Sequence, residues 1–263
     1  AANSKVTVIL SGDGADELFF GYDRFQSLAK NQWLWNYPYH IRYLVRGFDR
    51  LIFNDKYINE CVLSSTPGES HFGLHSNQPK ELSRQLIPSL SNVSLPEIFD
   101  LYKYTNPKTK NELLHIIRKV EFYGMLQKTL TKVDRASMAN SIEIRVPFLK
   151  KTLVEKIVKT GVRVHSPILK RKKILYNLLM KSFKNIKPEI RKKGFSIPLT
   201  KWIKTDYKNL FYEKLLDKTF CQTFDIETKK IEEILDNHIN GKYDYKWSLF
   251  SLYGLSVWND ARD

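Results

Sequence analysis

The sequence is poor in cysteine and contains no long hydrophobic run. Its 263 residues include two cysteines, too few for a disulfide framework and without metal-ligand spacing, which fits a reducing cytoplasm. No apolar stretch approaches the roughly 18 residues needed to span a bilayer, and no signal peptide precedes the first strand-like segment. These absences argue against secreted and membrane-spanning classes. Because the chain starts without methionine, on a strand-like segment, we expect it to be a piece of a longer polypeptide.

Acidic residues are scarce in one part of the chain. A hydrophobic fraction of 42% with 13% aromatic residues indicates a folded globular protein, and the formal charge is +15. Residues 163–204 hold thirteen Lys or Arg against a single acid, Glu189. This cluster predicts a positive surface that attracts phosphate-bearing ligands. The alternative is a solvated face with nonspecific affinity for polyanions.

Residues 5–10 (KVTVIL) lead into SGDGADELFFGY, and together they predict a strand, a turn and a helix. The first run is rich in β-branched residues and ends at Ser-Gly, as a buried strand does. From Ala15 onward, apolar residues recur every three or four positions, which is helical spacing. Ligands of open α/β sheets bind beyond the carboxyl ends of the strands, so this turn is a candidate site.

Three carboxylates of this turn are candidate binding groups. Gly12 and Gly14 allow the backbone to approach a ligand closely, and Mg²⁺ is normally held by one or two carboxylates plus phosphate oxygens. Asp13 and Asp16 could therefore hold magnesium. The alternative is structural: Asp13 caps the helix, and Asp16 and Glu17 in its first turn offset the helix dipole.

Apolar spacing and breaks organise the rest of the chain. We expect a helix after Pro38, and a long surface excursion with short helices over residues 61–111, which hold five prolines. One apolar stripe from Leu113 to Val133 predicts a helix. Residues 142–146 alternate apolar and charged side chains, which predicts a short extended piece. The mostly apolar helix over residues 246–258 should lie in the core.

Two pairs of charged residues follow the apolar stripe. Lys132 and Arg135 stand in KVDRASM, just beyond it, and Glu143 and Arg145 alternate with isoleucines in IEIR. Individually these are ordinary surface residues, and a structural ion pair is the favoured interpretation of Glu143 with Arg145.

Three consecutive cations, Arg191, Lys192 and Lys193, lie in the loop IRKKGFSIP at residues 190–198. A closing loop that brings a lysine onto a transferring phosphate or a leaving pyrophosphate stabilises the charge that develops there. A basic surface loop without such a role is the alternative.

Together these segments resemble the synthetase domain of glutamine-dependent asparagine synthetases. SGDGADELFFGY, KVDRASMANSIEIRVPFLK, IRKKGFSIPLTKW and HINGKYDYKWSLFSLYGLSVW follow the family's order from about residue 6 to residue 258. The resemblance implies a mostly helical α/β fold: residues 1–263 form the C-terminal half of an ATP pyrophosphatase-type (adenine nucleotide alpha hydrolase-like) synthetase domain. The family's SGGxDS loop and glutaminase domain are not in this sequence, so we expect this piece alone to bind ATP poorly and to be inactive.

The resemblance also implies the reaction. It predicts an enzyme that uses ATP and Mg²⁺ to adenylate a carboxylate, with aspartate the first candidate, and then forms an amide with ammonia, releasing AMP and pyrophosphate. By position, Asp16 is the expected magnesium ligand, Asp13 lies near the acyl adenylate, Lys192 contacts phosphate or the intermediate, and Lys132 lies near phosphate. The other expected substrate- or phosphate-binding residues are Gly12, Gly14, Glu17, Arg135, Glu143, Arg145, Arg191 and Lys193.

The expected partners are ATP, the carboxylic acid and ammonia, which a glutaminase domain on the missing N-terminal part would supply. We expect a cytoplasmic protein, with a homodimer as one option. We expect it to bind neither a membrane nor nucleic acid. Phe20, Lys150 and Ile190 depart from the family pattern. They leave open a relative that closes a peptide or antibiotic ring or amidates a sugar acid. A second alternative is a basic nucleic-acid-binding module that stacks bases on Phe195 and Trp202.

Overall fold

The computed structural model describes residues 6–53, 60–75, 80–94, 96–162, 172–183 and 197–262. The chain divides into two compact units, one of residues 1–74 and 96–192 and the other of residues 75–95 and 193–263. Both are mostly helical in their described parts. The predicted basic loop with Arg191, Lys192 and Lys193 lies outside the described residues.

The first unit contains a parallel pair of short strands and most of the longer helices. Its strands are β1 (Val8–Leu10) and β2 (Glu143–Arg145). Its helices, in chain order, are α1 (Ala15–Leu18), α2 (Asp23–Lys30), α3 (Tyr39–Phe53), α4 (Pro67–His75), α6 (Lys110–Tyr123), α7 (Met125–Met138), α8 (Lys151–Lys159) and α9 (Lys173–Ser182), with α5 (Lys80–Leu86) in the second unit. Short 3₁₀ turns cover Gln32–Asn36, Glu60–Leu63, Glu97–Tyr102 and Pro147–Leu149.

The strand pairing brings two distant parts of the sequence together. Residues Val8 and Leu10 lie opposite Glu143 and Arg145, and the Ser11 amide continues the ladder by donating to the Arg145 carbonyl at 2.9 Å. The expected extended piece is therefore confirmed as β2. The expectation of a buried first strand is wrong, because Val8 and Leu10 are 39% and 69% exposed.

The apolar stripe that predicted one helix is divided between α6 and α7 at Gly124. Gly124 has φ −101° and ψ −93°, which no helix continues through. The start of α6 is fixed by Thr109, whose hydroxyl accepts from the Glu112 amide at 3.2 Å as an N-cap. Apolar residues of the stripe, including Leu113 and Ile117, are still buried against α1 and α2. The predicted helical periodicity is therefore confirmed, and the prediction of a single continuous helix is wrong.

The region 61–111 has the short helices that were expected, but it is not only a surface excursion. His71 on α4 is fully buried, and Val62 in the preceding 3₁₀ turn is also buried. This region therefore contributes a titratable side chain to the interior of the first unit.

The second unit packs helices around its own apolar core. Besides α5 and a 3₁₀ turn at Pro88–Asn92, its helices are α10 (Leu199–Lys204), α11 (Lys208–Leu215), α12 (Lys218–Thr223), α13 (Thr228–Ile239) and α14 (Lys246–Asp260). The core includes Leu86, Phe211, Ile234 and Leu249. Only one face of α14 is buried, since Trp258 is 52% exposed, so the expected core helix is confirmed in part. Among the described helices, none has the length and apolar character to cross a bilayer.

Candidate active site

The turn between β1 and α1 is shaped by contacts among its own residues. Asp13 accepts a hydrogen bond from the Ser11 hydroxyl at 2.6 Å, and the Asp13 amide donates to the same hydroxyl at 3.3 Å. The N-cap of α1 is Gly14, and no side chain caps this helix. The structural alternative for Asp13, a helix cap, is therefore wrong. Gly12 is exposed, and nothing stands within 4 Å of the position that a Cβ atom would take there.

Gly14 is required by two features of the turn. Its φ is +87°, in the left-handed region, and a Cβ atom at this position would lie 2.3 Å from Cδ2 of Leu149. The PFL turn after β2 thus packs directly on the turn after β1. This contact explains why two of the sequence blocks, far apart along the chain, belong to one site.

The carboxylate of Asp16 forms an ion pair with the ammonium of Lys172 at 2.8 Å. Both side chains are largely buried, with 15% of Asp16 and 34% of Lys172 exposed. The Lys172 amide donates to the Phe19 carbonyl at 3.3 Å, which holds Lys172 against the end of α1. A Cβ atom on Gly21 would lie 1.6 Å from Oδ1 of Asp16 and 2.4 Å from Cε of Lys172, so the ion pair occupies the space that glycine leaves.

Glu17 points away from the turn and into the first unit. It is 3% exposed, and its carboxylate accepts a hydrogen bond from the Tyr22 hydroxyl at 2.8 Å. Burial raises the pKa of Glu17, although the Tyr22 hydroxyl opposes that rise, and burial together with the Glu17 charge raises the pKa of Tyr22. In the structure, the hydrogen-bond donor to the Glu17 carboxylate is Tyr22. The expected contact of Glu17 with substrate or phosphate stays a prediction.

A buried polar network continues from Tyr22. The guanidinium of Arg24 lies 3.8 Å from the centre of the Tyr22 ring and binds the Glu121 carboxylate through two hydrogen bonds, at 3.0 and 2.8 Å. His71 Nε2 lies 2.8 Å from the same carboxylate, and its Nδ1 lies 3.0 Å from the Tyr104 hydroxyl. The side chains of Glu121 and His71 are fully buried. The negative charge of the buried Glu121 carboxylate is neutralised by its ion pair with the Arg24 guanidinium.

The other predicted charged residues lie on α7 and β2. Lys132 and Arg135 are exposed on the last turns of α7, which connects through a tight turn to β2. Glu143 and Arg145 form the expected ion pair at 2.8 Å, on exposed side chains. The register places Arg145 opposite Leu10, at the end of β1 where the site turn begins.

The predicted order of strand, glycine turn and helix start is confirmed, with Asp13 in the turn and Asp16 and Glu17 on α1, while the roles of these residues stay predictions. Sequence reasoning missed Lys172, which carried no signal beyond membership of a cluster of thirteen cations. It also missed the buried network, because residues such as Arg24 and Glu121, 97 positions apart, meet only through the packing of α2 on α6.

The donor set at this turn suits a hard divalent cation. Asp16 supplies a carboxylate that already holds a positive group, the ammonium of Lys172, and the Asp13 carboxylate lies three positions earlier in the same turn. Oxygen ligands of this kind, with phosphate oxygens completing the set, are those that Mg²⁺ prefers. Asp16 and Asp13 are therefore the residues at this turn that would hold a magnesium-phosphate group.

Comparison with known proteins defines the class: a model of the asparagine synthase family matches residues 1–260. The chain belongs to the asparagine synthase family. It is 23% identical, over 279 aligned positions, to asparagine synthetase [glutamine-hydrolyzing] 1 of Bacillus subtilis (strain 168). That alignment covers 98% of this chain and 41% of the relative, so the chain spans about two fifths of the relative's length. No solved structure matches.

Proposed function

We propose that this chain forms part of an ATP-dependent ligase that activates a carboxylic acid as its acyl adenylate and converts it to an amide. We further propose an ATP pyrophosphatase-type fold for its synthetase domain. The observation that carries the proposal is the Asp16–Lys172 ion pair at the exit of β1, at 2.8 Å. It joins a carboxylate suited to magnesium with an ammonium suited to phosphate, in the position where α/β folds bind ligands.

In the first half of the reaction, a carboxylate oxygen of the acid attacks the α-phosphorus of ATP, and the bond to pyrophosphate breaks. Asp16, with Asp13 in the same turn, would hold magnesium, which would neutralise charge on the phosphates. The Lys172 ammonium is then released from Asp16 to contact the leaving pyrophosphate, where it stabilises the developing negative charge. Lys192, for which the family resemblance implies a similar role, stays a prediction, as do Arg191 and Lys193.

In the second half, ammonia attacks the carbonyl carbon of the acyl adenylate, the bond to AMP breaks, and the proton lost by nitrogen passes to a base. Asp13 is the proposed group beside this intermediate, held by the Ser11 hydroxyl at 2.6 Å. We propose aspartate as the acid and a glutaminase domain elsewhere in the protein as the source of ammonia. The relative is named for glutamine hydrolysis.

The test is pyrophosphate release by the protein in its full natural length, supplied with ATP, Mg²⁺, glutamine or ammonium, and one acid from a panel. We expect release that requires aspartate and falls at least a hundredfold in Asp16→Ala and Lys172→Ala. Lys173→Ala is the matched control, because the adjacent Lys173 is exposed. Release only with a peptide or sugar acid would keep the mechanism and change the substrate. Failure with every acid would refute the ligase assignment.

The nucleic-acid-binding alternative rests on the cation cluster at residues 163–204, of which 163–171 and 184–196 lie outside the described residues. Trp202 on α10 is half-buried, and its ring lies nearly perpendicular to that of Tyr207, with ring centres 6.1 Å apart. Phe195 lies outside the described residues.

A further inference from the structure

The shortest helix of the site depends on its packing for order, both through the buried Leu18 and through the buried Glu17. α1 spans Ala15–Leu18, a single turn, and isolated helical segments of this length are not stable in water. Successive residues on a helix point about 100° apart. Fixing Glu17 toward the interior therefore fixes Asp16 at the edge of the turn, where it meets Lys172.

The buried polar network is placed to fix Glu17. Its connected contacts run from Tyr104 to His71, to the Glu121–Arg24 pair, to the Tyr22 ring and finally to the Glu17 carboxylate. Each hydrogen bond in this series is 2.8–3.0 Å long. Because the innermost members are fully buried, a change in one of them cannot be relieved by water.

We infer that Tyr104, His71, Glu121 and Arg24 are positioning residues, and that they act through Tyr22 and Glu17 to present Asp16 to the metal and phosphate. We call these four residues the clamp. This inference rests on the proposed function, since it assigns Asp16 the metal. In this inference the clamp acts only through Tyr22 and Glu17.

The variant that tests the clamp most cleanly is Tyr104→Phe, because it removes one hydroxyl at the far end and leaves the ring in place. Tyr123→Phe is the matched control, since Tyr123 is 54% exposed at the end of α6. Arg24→Lys is the second variant: it keeps the positive charge and loses the two-point hold on Glu121.

Two measurements are made on the full-length protein. Hydrogen exchange, read by mass spectrometry on the peptide that contains residues 15–21, reports the order of α1. Electron paramagnetic resonance of Mn²⁺, added with inorganic pyrophosphate, reports ion affinity without any need for turnover. Loss of a partner that orients a metal ligand typically lowers affinity by 10–100-fold, so we expect about tenfold weaker Mn²⁺ binding in both clamp variants. Exchange at residues 15–21 should be faster in both, and Tyr123→Phe should match the wild type.

The outcomes separate the clamp from the proposed function. The inference is overturned if hydrogen exchange at residues 15–21 is unchanged in Tyr104→Phe and Arg24→Lys. It is also overturned if exchange is faster but Mn²⁺ affinity stays within twofold of wild type, because the four residues would then have a structural role only. If Asp16→Ala binds Mn²⁺ as well as wild type does, the metal assignment of the proposed function fails. Exchange at residues 15–21 alone then decides whether the clamp orders α1.

Discussion

Gly21→Ala should disrupt the Asp16–Lys172 ion pair without touching either charged residue. The added Cβ atom would lie 1.6 Å from Oδ1 and 2.7 Å from Cγ of Asp16, and 2.4 Å from Cε of Lys172. These are all side-chain atoms, so the fold can accommodate the methyl group. It can do so only if Asp16 rotates away and the 2.8 Å contact is lost.

The cost follows from three contributions. Losing a partly exposed ion pair costs about 0.2–1 kcal/mol, and an off-rotamer side chain costs about 0.5–1.5 kcal/mol. Against these, alanine reduces the entropy of the unfolded chain, which stabilises by about 0.4–1 kcal/mol. The three contributions sum to a net destabilisation of about 0–2 kcal/mol, and we expect a value near 1 kcal/mol because the crowding also displaces Lys172. Gly12→Ala is the control, because its Cβ atom would meet nothing within 4 Å, and it should be neutral or slightly stabilising.

Urea unfolding followed by circular dichroism measures both variants. A double-mutant cycle makes the test specific, because in an Asp16→Ala background the atom that crowds Gly21 most closely, Oδ1 of Asp16, is gone. There Gly21→Ala should cost at least 1 kcal/mol less than in the wild type. An equal cost in both backgrounds, or a cost no larger than that of Gly12→Ala, would refute the geometry. We also expect pyrophosphate release to fall in Gly21→Ala.

Three further predictions test other parts of the fold. Glu121→Gln should destabilise the protein by about 3–5 kcal/mol in urea unfolding, since it leaves the charge of Arg24 without its buried carboxylate. Gly14→Ala should cost at least about 1–2 kcal/mol, because φ is +87° and Leu149 blocks the Cβ position; an unchanged urea midpoint would contradict the turn geometry. His238 is buried, and burial lowers its pKa. Below about pH 6.5, His238 therefore binds a proton in the unfolded chain but not yet in the folded protein. Stability should therefore fall as the pH drops from 7 toward the lowered pKa of His238, and His238→Gln should flatten that slope in urea midpoints measured across this range.

The sequence allowed prediction of the parts of the site that are local in the chain. The strand, the glycine turn and the start of α1 lie within residues 8–18, so apolar spacing and turn chemistry were enough to find them. β2 was also predictable, because alternation between apolar and charged residues needs only a few positions. The break at Gly124 was hidden, since the apolar stripe keeps its phase through it.

Contacts between distant residues could not be read from spacing. Lys172 meets Asp16 only because its amide binds the end of α1, and His71 meets Glu121 only because α4 packs near α6. Nothing in the local pattern around either residue distinguishes it from a surface lysine or an ordinary helical histidine. Such pairs depend on tertiary packing, which a propensity or a period does not encode.

The family departure at Phe20 shows how a changed residue can preserve a site. Phe20 has φ +55°, in the left-handed region that glycine enters most easily, so the backbone of the turn keeps a course that glycine would also take. This conformation costs a bulky residue about 1–2 kcal/mol of conformational free energy. Phe20 is fully buried, packs edge-on against Phe25 at 5.9 Å and lies under the guanidinium of Arg118 at 4.6 Å. Burying a phenylalanine contributes about 1.5–3 kcal/mol, which offsets the strain. Phe20 therefore packs behind α1 while the backbone keeps a conformation that glycine would also adopt.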